Sequence, residues 1–312
     1  MALSGTVSRS VSPPSAMPRS STRRRASRST VSFVRVAGIT AAVLVVFIAL
    51  WEGYKALGQA TGDVWPFTDI PLPVSTSDSA MPHVWTIVSA LFQPASAASS
   101  QTLLSYYLEQ TSVTLREAAY GLIAGSIIGV VLAVVLRELR FVMRGVLPWL
   151  VISQTIPLVA LAPIIVVWVG GAGFPSWVAV SVIAAYLSFF PVTVNVLTGL
   201  NSADPIHIEF MQSINASRWS TLVRVRMPAA LPSLFTGLRL AATASVIGAI
   251  VGELSAGTGL GIGRAILTAA YYFSIQPENL FAAVLVASLA GVLFVQAITA
   301  LEWVALRKRN NR

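Results

Sequence analysis

Six stretches of mainly apolar residues, each near the twenty or so a helix needs to cross hydrocarbon, constrain this chain more than any other feature. They run over 33–51, 113–136, 146–169, 177–200, 234–254 and 280–301. None shows the strict polar–apolar alternation of a barrel strand, so each is predicted to be a helix. Only 11% of the residues are charged, against about 25% in an average soluble domain. A soluble surface of this composition would be largely apolar. The chain therefore reads as an all-α, polytopic membrane bundle with six transmembrane helices.

Basic residues near spans stay on the cytoplasmic side. Residues 1–35 carry seven arginines, whereas 52–112 carries Lys55 alone beside Glu52, Asp63, Asp69, Asp78 and Glu109. Arg137, Arg140 and Arg144 follow the second span, and 170–176 has no charge. Arg218, Arg224 and Arg226 separate spans four and five, with Arg239 just inside the fifth, and Arg307, Lys308, Arg309 and Arg312 close the chain. Eighteen of the 21 basic residues fall on one side, all but Lys55, Arg116 and Arg264. Both termini are thus expected in the cytoplasm and the protein in the plasma membrane.

Residues 1–32, with ten serines and six arginines, cannot bury enough surface to fold and read as a disordered basic tail. A signal peptide is the competing reading, but the apolar run that follows is long and no cleavage site is clear, which favours a retained anchor at 33–51. Segment 52–112 is extracytoplasmic, with short amphipathic pieces near Val84–Phe92 and Leu103–Leu108. Residues 113–305 form the transmembrane domain and 306–312 a basic tail. The run Arg23–Arg25 suits anionic lipid rather than nucleic acid at such a position.

The 201–233 connection is too long and too patterned for a mere link. Asp204-Pro205 is a helix start, because Asp caps and Pro fits the first turn. Ile206, Phe210, Met211 and Ile214 follow at helical spacing, and Asn215 suits a left-handed stop. Ser217 caps a second short helix carrying Trp219, with Pro228 and Pro232 expected to end it. Two roles fit this amphipathic elbow: a helix resting on lipid headgroups, or a surface for a protein partner.

The stretch from Glu209 through Asn215 to Val225, Met227 and Pro228 resembles the EAA loop of ABC importer permeases: Glu-Ala-Ala, three residues, Gly, nine residues, Ile, one residue, Leu-Pro. Glu209 and Pro228 match in identity, Val225 and Met227 are conservative, Phe210 and Met211 replace the two alanines, and Asn215 replaces the glycine. The resemblance extends through 228–238, Ala162-Pro163 and 189–200, covering about 110–305. It is similar to the nitrate, sulfonate and taurine branch, which also holds permeases for pyrimidine precursors. The resemblance implies a MetI-like permease core, working as a dimer, most simply a homodimer, with cytoplasmic ATPase subunits and an extracytoplasmic solute-binding protein. ATP would bind the partner, and this chain would carry no cofactor. Glu209 to Pro228 would couple the subunits, with Arg218, Trp219 and Arg224 as direct contacts.

Gly257–Gly263 lacks the Gly-Lys-Ser/Thr ending of a phosphate loop and reads as a turn before a short outer helix. Gly121, Gly125 and Gly129 make a small-residue row that packs either within the subunit or at a dimer seam. Pro157, Pro163 and Pro191 should kink or interrupt spans three and four. Ser153, Gln154, Thr155, Thr193 and Asn195 cluster near them and should face inward, lining a pathway or bonding to neighbouring helices. Glu253 is a pathway candidate or an interfacial carboxylate. No cysteine is present, His83 and His207 match no metal spacing, and no catalytic triad or HExxH pair occurs. A transport subunit rather than an enzyme is expected, with an ion-gradient transporter or channel as the alternative class.

Overall fold

The computed structural model describes residues 26–67, 70–96, 100–257 and 259–310. The expected disordered tail falls at 1–25 outside the described residues, while 26–32 already belong to the first helix. Eleven helices are described: α1 (Ala26–Thr61), α2 (Val84–Ala90), α3 (Leu103–Glu138), α4 (Arg140–Ser153), α5 (Leu158–Gly171), α6 (Ser176–Asn201), α7 (Pro205–Ser213), α8 (Arg218–Thr221), α9 (Met227–Ala256), α10 (Ile262–Tyr271) and α11 (Pro277–Asn310).

The core is a trio in which α6 lies between α3 and α9, and small residues bring the backbones close. A Cβ on Gly125 would stand 2.8 Å from the Ala185 carbonyl, and one on Gly129 2.7 Å from that of Phe189. On the other side, a Cβ on Gly248 would stand 2.8 Å from Cα of Ala184. Lipid offers no hydrophobic drive between helices, so this close van der Waals contact is what holds them together. The Gly121, Gly125 and Gly129 row therefore packs within the subunit.

These contacts fix the helix directions. Gly121, Gly125 and Gly129 meet residues 181–185, 185–189 and 189–192 in ascending order, so α3 and α6 run parallel. Gly237 meets Pro191 to Asn195 and Gly252 meets Val180, so α9 runs antiparallel to both. Because α3 ends and α6 begins at opposite ends of the trio, residues 139–175 must cross back.

They do so as a broken span, the stretch expected over 146–169 being interrupted before Pro157. Among the described residues five helices are long and apolar enough to cross alone, and the pair α4 and α5, bent by 100°, makes a sixth. The break is local chemistry. Pro157 heads α5, and a residue before proline is pushed out of the helical region. Freed carbonyls near the break are taken by hydroxyls: Ser153 Oγ donates to Leu150 (2.7 Å) and Thr155 Oγ1 to Ile152 (2.8 Å). The Tyr186 hydroxyl donates to the Ser153 carbonyl. Such substitutes are what make broken helices tolerable in a membrane.

Two further boundaries differ from expectation. Leu103–Leu108 is not a separate piece but the first turns of α3, capped by Thr102, whose hydroxyl accepts from Ser105 N. Nothing between 108 and 113 breaks a helix, so α3 runs 36 residues, about 54 Å, and its first turns project past a core about 30 Å thick. Pro228 and Pro232 do not stop the second elbow helix either. From α8 the chain passes through a π-helical turn, Leu222–Arg226, straight into α9, with Pro228 in its first turn and Pro232 inside it.

The segment that follows α1 is clasped onto the end of that helix. Lys55, fully buried, donates to Asp78 Oδ1 and to the Met81 carbonyl, both at 2.5 Å. Glu52 accepts from Val84 N (2.9 Å) and lies 2.7 Å from His83 Nδ1. Trp51 Nε1 donates to the Pro82 carbonyl at 3.1 Å, and its ring meets Phe281 edge-on.

Candidate functional site

The elbow between α6 and α9 is built by local signals. Asp204 accepts from Ile206 N at 2.9 Å and starts α7. α7 ends with Asn215 in the left-handed region at φ 53°. There Ala216 N donates to the Met211 carbonyl and Asn215 N to that of Gln212, both at 2.9 Å. This pair of bonds is the Schellman stop. Ser217 then accepts from Ser220 N at 3.1 Å and starts α8.

The same turns sort the side chains into two sets. Met211 and Leu222 are buried and seat the elbow on the bundle, while Ile206, Phe210, Ile214 and Trp219 are exposed, Trp219 by 70%. Glu209, Arg218 and Arg224 are exposed among them, and Val225, Met227 and Pro228 are half-buried where the elbow meets α9. The elbow is also tied to its own base, since Arg226 Nη1 donates to the Leu200 carbonyl at 3.0 Å. Arg218 and Arg226 line a cleft of about 380 Å³ against the end of α3, with Glu138, Gln212 and Thr221.

The residues expected near a pathway do not form one cluster. Gln154 and Thr155 sit in the break of the third crossing; Gln154 Nε2 donates to Ser153 Oγ at 3.3 Å. Thr193 is fully buried and donates to its own helix at Phe189 (2.8 Å), and Asn195 donates to Pro191 (2.8 Å). Glu253 is fully buried near the far end of α9, where Oε2 accepts from Gly263 N at 2.7 Å.

Around Glu253 the structure gathers residues that the sequence reading passed over. Gln110 Oε1 accepts from Gly261 N (2.9 Å) and Thr114 Oγ1 from Ile262 N (2.8 Å). Glu117 is buried beside them, its carboxyl against that of Glu253. The signal was present: Glu117 is a carboxylate inside an apolar span, where an ionisable group is a functional candidate by default. Arg239 is a second such case, with Nε 3.4 Å from Glu302 Oε2 across α9 and α11.

A family model described as the binding-protein-dependent transport system inner membrane component matches residues 125–303. The chain is similar to the formylaminopyrimidine transport permease protein of Halalkalibacterium halodurans, 37% identical over 67% of this chain and 80% of that one. A probable ABC transporter permease protein of Haemophilus influenzae is 35% identical over 65% of this chain and 84% of its own length. A putative aliphatic sulfonates transport permease protein of Bacillus subtilis is 26% identical over 85% of this chain and 86% of its own.

Proposed function

Since this chain belongs to the family of binding-protein-dependent transport system inner membrane components, the permease subunits of ABC importers, we propose that the 205–228 elbow is the surface through which a separate ATPase drives it. The observation that carries this is the exposure of Ile206, Phe210, Ile214 and Trp219 on an elbow whose Met211 and Leu222 are buried and whose two helices are each capped. A lipid-resting helix would need no such doubly capped frame. Exposed aromatic and apolar anchors flanked by charge (Glu209, Arg218 and Arg224) have the make-up of a protein interface core.

In this reading the arginine-rich end of the bundle is cytoplasmic, with both termini there. Two copies line the pathway, ATP binds only the ATPase subunits, and a binding protein delivers solute to the outer face. The chain itself supplies no catalytic group and no cofactor site. Closure of the ATPase pair moves the elbows, and the helices rock about the broken third crossing. The solute is a small sulfonate, taurine, nitrate or pyrimidine-type precursor. Formylaminopyrimidines come first for assay because the 37% identical relative is named for their transport.

The test is Glu209→Lys combined with Arg218→Glu, alongside Trp219→Ala alone. ATPase association measured in nanodiscs should weaken about thirtyfold for Trp219→Ala, as for a central interface anchor, and solute uptake should fall with it. Uptake and ATPase association both unchanged in the charge-reversed pair would sink the elbow assignment.

A further inference from the structure

We propose that Gln110, Thr114 and Glu253 are positioning residues that clasp the outer ends of α3, α9 and α10 together, and that this clasp opens when the elbow is driven. The inference rests on the importer reading. Three successive backbone N–H groups, those of Gly261, Ile262 and Gly263, are each received by a different side chain, and these come from two helices. Gln110 and Thr114 belong to α3 and Glu253 to α9.

The turn is shaped around those acceptors. Gly261 has φ 97°, open to glycine and strained for other residues. A Cβ on Gly263 would lie 2.8 Å from Glu253 Oε2, so only a side-chain-free backbone can come this close. Behind the turn, Ile262 and Ala265 of α10 are buried on Ala282, Ala283 and Val286 of α11. Releasing three N–H groups therefore loosens α10 from α3 and α9, while the start of α11 stays tied to α3 through the Tyr107 hydroxyl, which donates to the Asn279 carbonyl at 3.0 Å.

Two features make this more than the capping of one helix. α9 is a single 30-residue rod, so the same helix that begins at the elbow carries Glu253 near its far end. Pro232 lies within its second turn, and from there to Glu253 the helix is uninterrupted, so a displacement of its elbow end is carried along α9 to the clasp. The clasp also buries two carboxyl groups against each other, Glu117 of α3 and Glu253 of α9. Burying such a pair is costly, so the closed arrangement is poised to exchange with one in which the two groups are separated and hydrated.

The chain has no cysteine, so Ile262→Cys places a single thiol at a buried position of the clasp. Maleimide labelling is followed on the transporter purified with its ATPase in nanodiscs, with and without ATP. Labelling is expected to be slow without ATP and faster with it. Thr114→Val, which keeps the shape and loses the acceptor, should raise the ATP-free rate about tenfold, the equivalent of one buried hydrogen bond. Thr114→Ser, which keeps the hydroxyl, should not. Should Thr114→Val fail to fold, Gln110→Leu against Gln110→Glu makes the same comparison. Equal labelling in the acceptor-less variant and its parent overturns the clasp. So does a rate indifferent to ATP in a complex that hydrolyses it, and this result leaves the importer reading standing. A chain that purifies without any ATPase counts against the importer reading instead.

Discussion

Arg226 Nη1 donates to the carbonyl oxygen of Leu200 across 3.0 Å, joining the last residue of the π-helical turn to the final turn of α6. The elbow thus leaves the bundle and returns to it at one closed point. A cation at a helix C-terminus is also favoured by the helix dipole. With this brace, a push on α7 and α8 reaches α6 and α9 together rather than being absorbed in a loose loop.

Arg226→Gln should therefore loosen the elbow without unfolding the bundle. A hydrogen bond to a charged donor contributes about 1.5–3 kcal/mol, so backbone amides over 205–226 should exchange with deuterium markedly faster than those of α3. ATP consumed per solute imported should rise. Unchanged exchange in the elbow would show that the brace is incidental.

Asn215 holds φ 53° at the stop between the two elbow helices. Asn215→Gly should preserve ATPase association, because glycine enters the left-handed region freely. Asn215→Val should lose about 1–2 kcal/mol there and weaken association measurably in a nanodisc binding assay. Equal binding by both variants would mean that the turn plays no part in docking.

Gly125→Leu tests the α3–α6 contact. A Cβ alone would stand 2.8 Å from both the Ala185 carbonyl and Cβ of Ser188, and overpacking of this kind typically costs about 1–3 kcal/mol. The expected outcome is a lower thermal midpoint and aggregated material in detergent size-exclusion. A variant as monodisperse and as heat-resistant as the parent would contradict the packing described.

Acid should release the segment that follows α1. The hydrogen bond from Lys55, followed by its charge, holds the Asp78 carboxyl below the ordinary aspartate range. A carboxylate with a depressed folded-state pKa contributes stability that is present above its unfolded value and lost as pH falls through the folded one. Docking should therefore be strongest at neutral pH and weaken below about pH 4. The fluorescence of Trp51 and Trp85 reports it, and Asp78→Asn should remove the acid-dependent change. An unaltered acid transition in that variant would assign the release to another group.

Much of this molecule is written in short-range signals. Asp204, Asn215 and Ser217 mark the elbow helices by capping chemistry that acts within four residues, so their sites were legible in the sequence. The membrane crossings were legible because apolar length is a local property. The 100° break at Gln154–Pro157 was only partly so: proline announces a kink, but whether the helix bends or parts depends on partners such as Tyr186, 33 residues away. The clasp was not legible. Gln110 and Thr114 meet Gly261 and Ile262 across about 150 residues of sequence, and no local pattern encodes that meeting. The prolines at 228 and 232 misled for a related reason, since a proline near a helix start looks like one beyond a helix end until the register is known.

The measurement that bears most directly on the account is gentle-detergent purification of the tagged chain from its native membrane, with quantitative mass spectrometry of the complex. Two permease chains with two ATPase chains are expected, and Trp219→Ala should shed the ATPase while leaving the permease folded. A chain that repeatedly emerged alone, yet moved solute into liposomes on an ion gradient, would contradict the account.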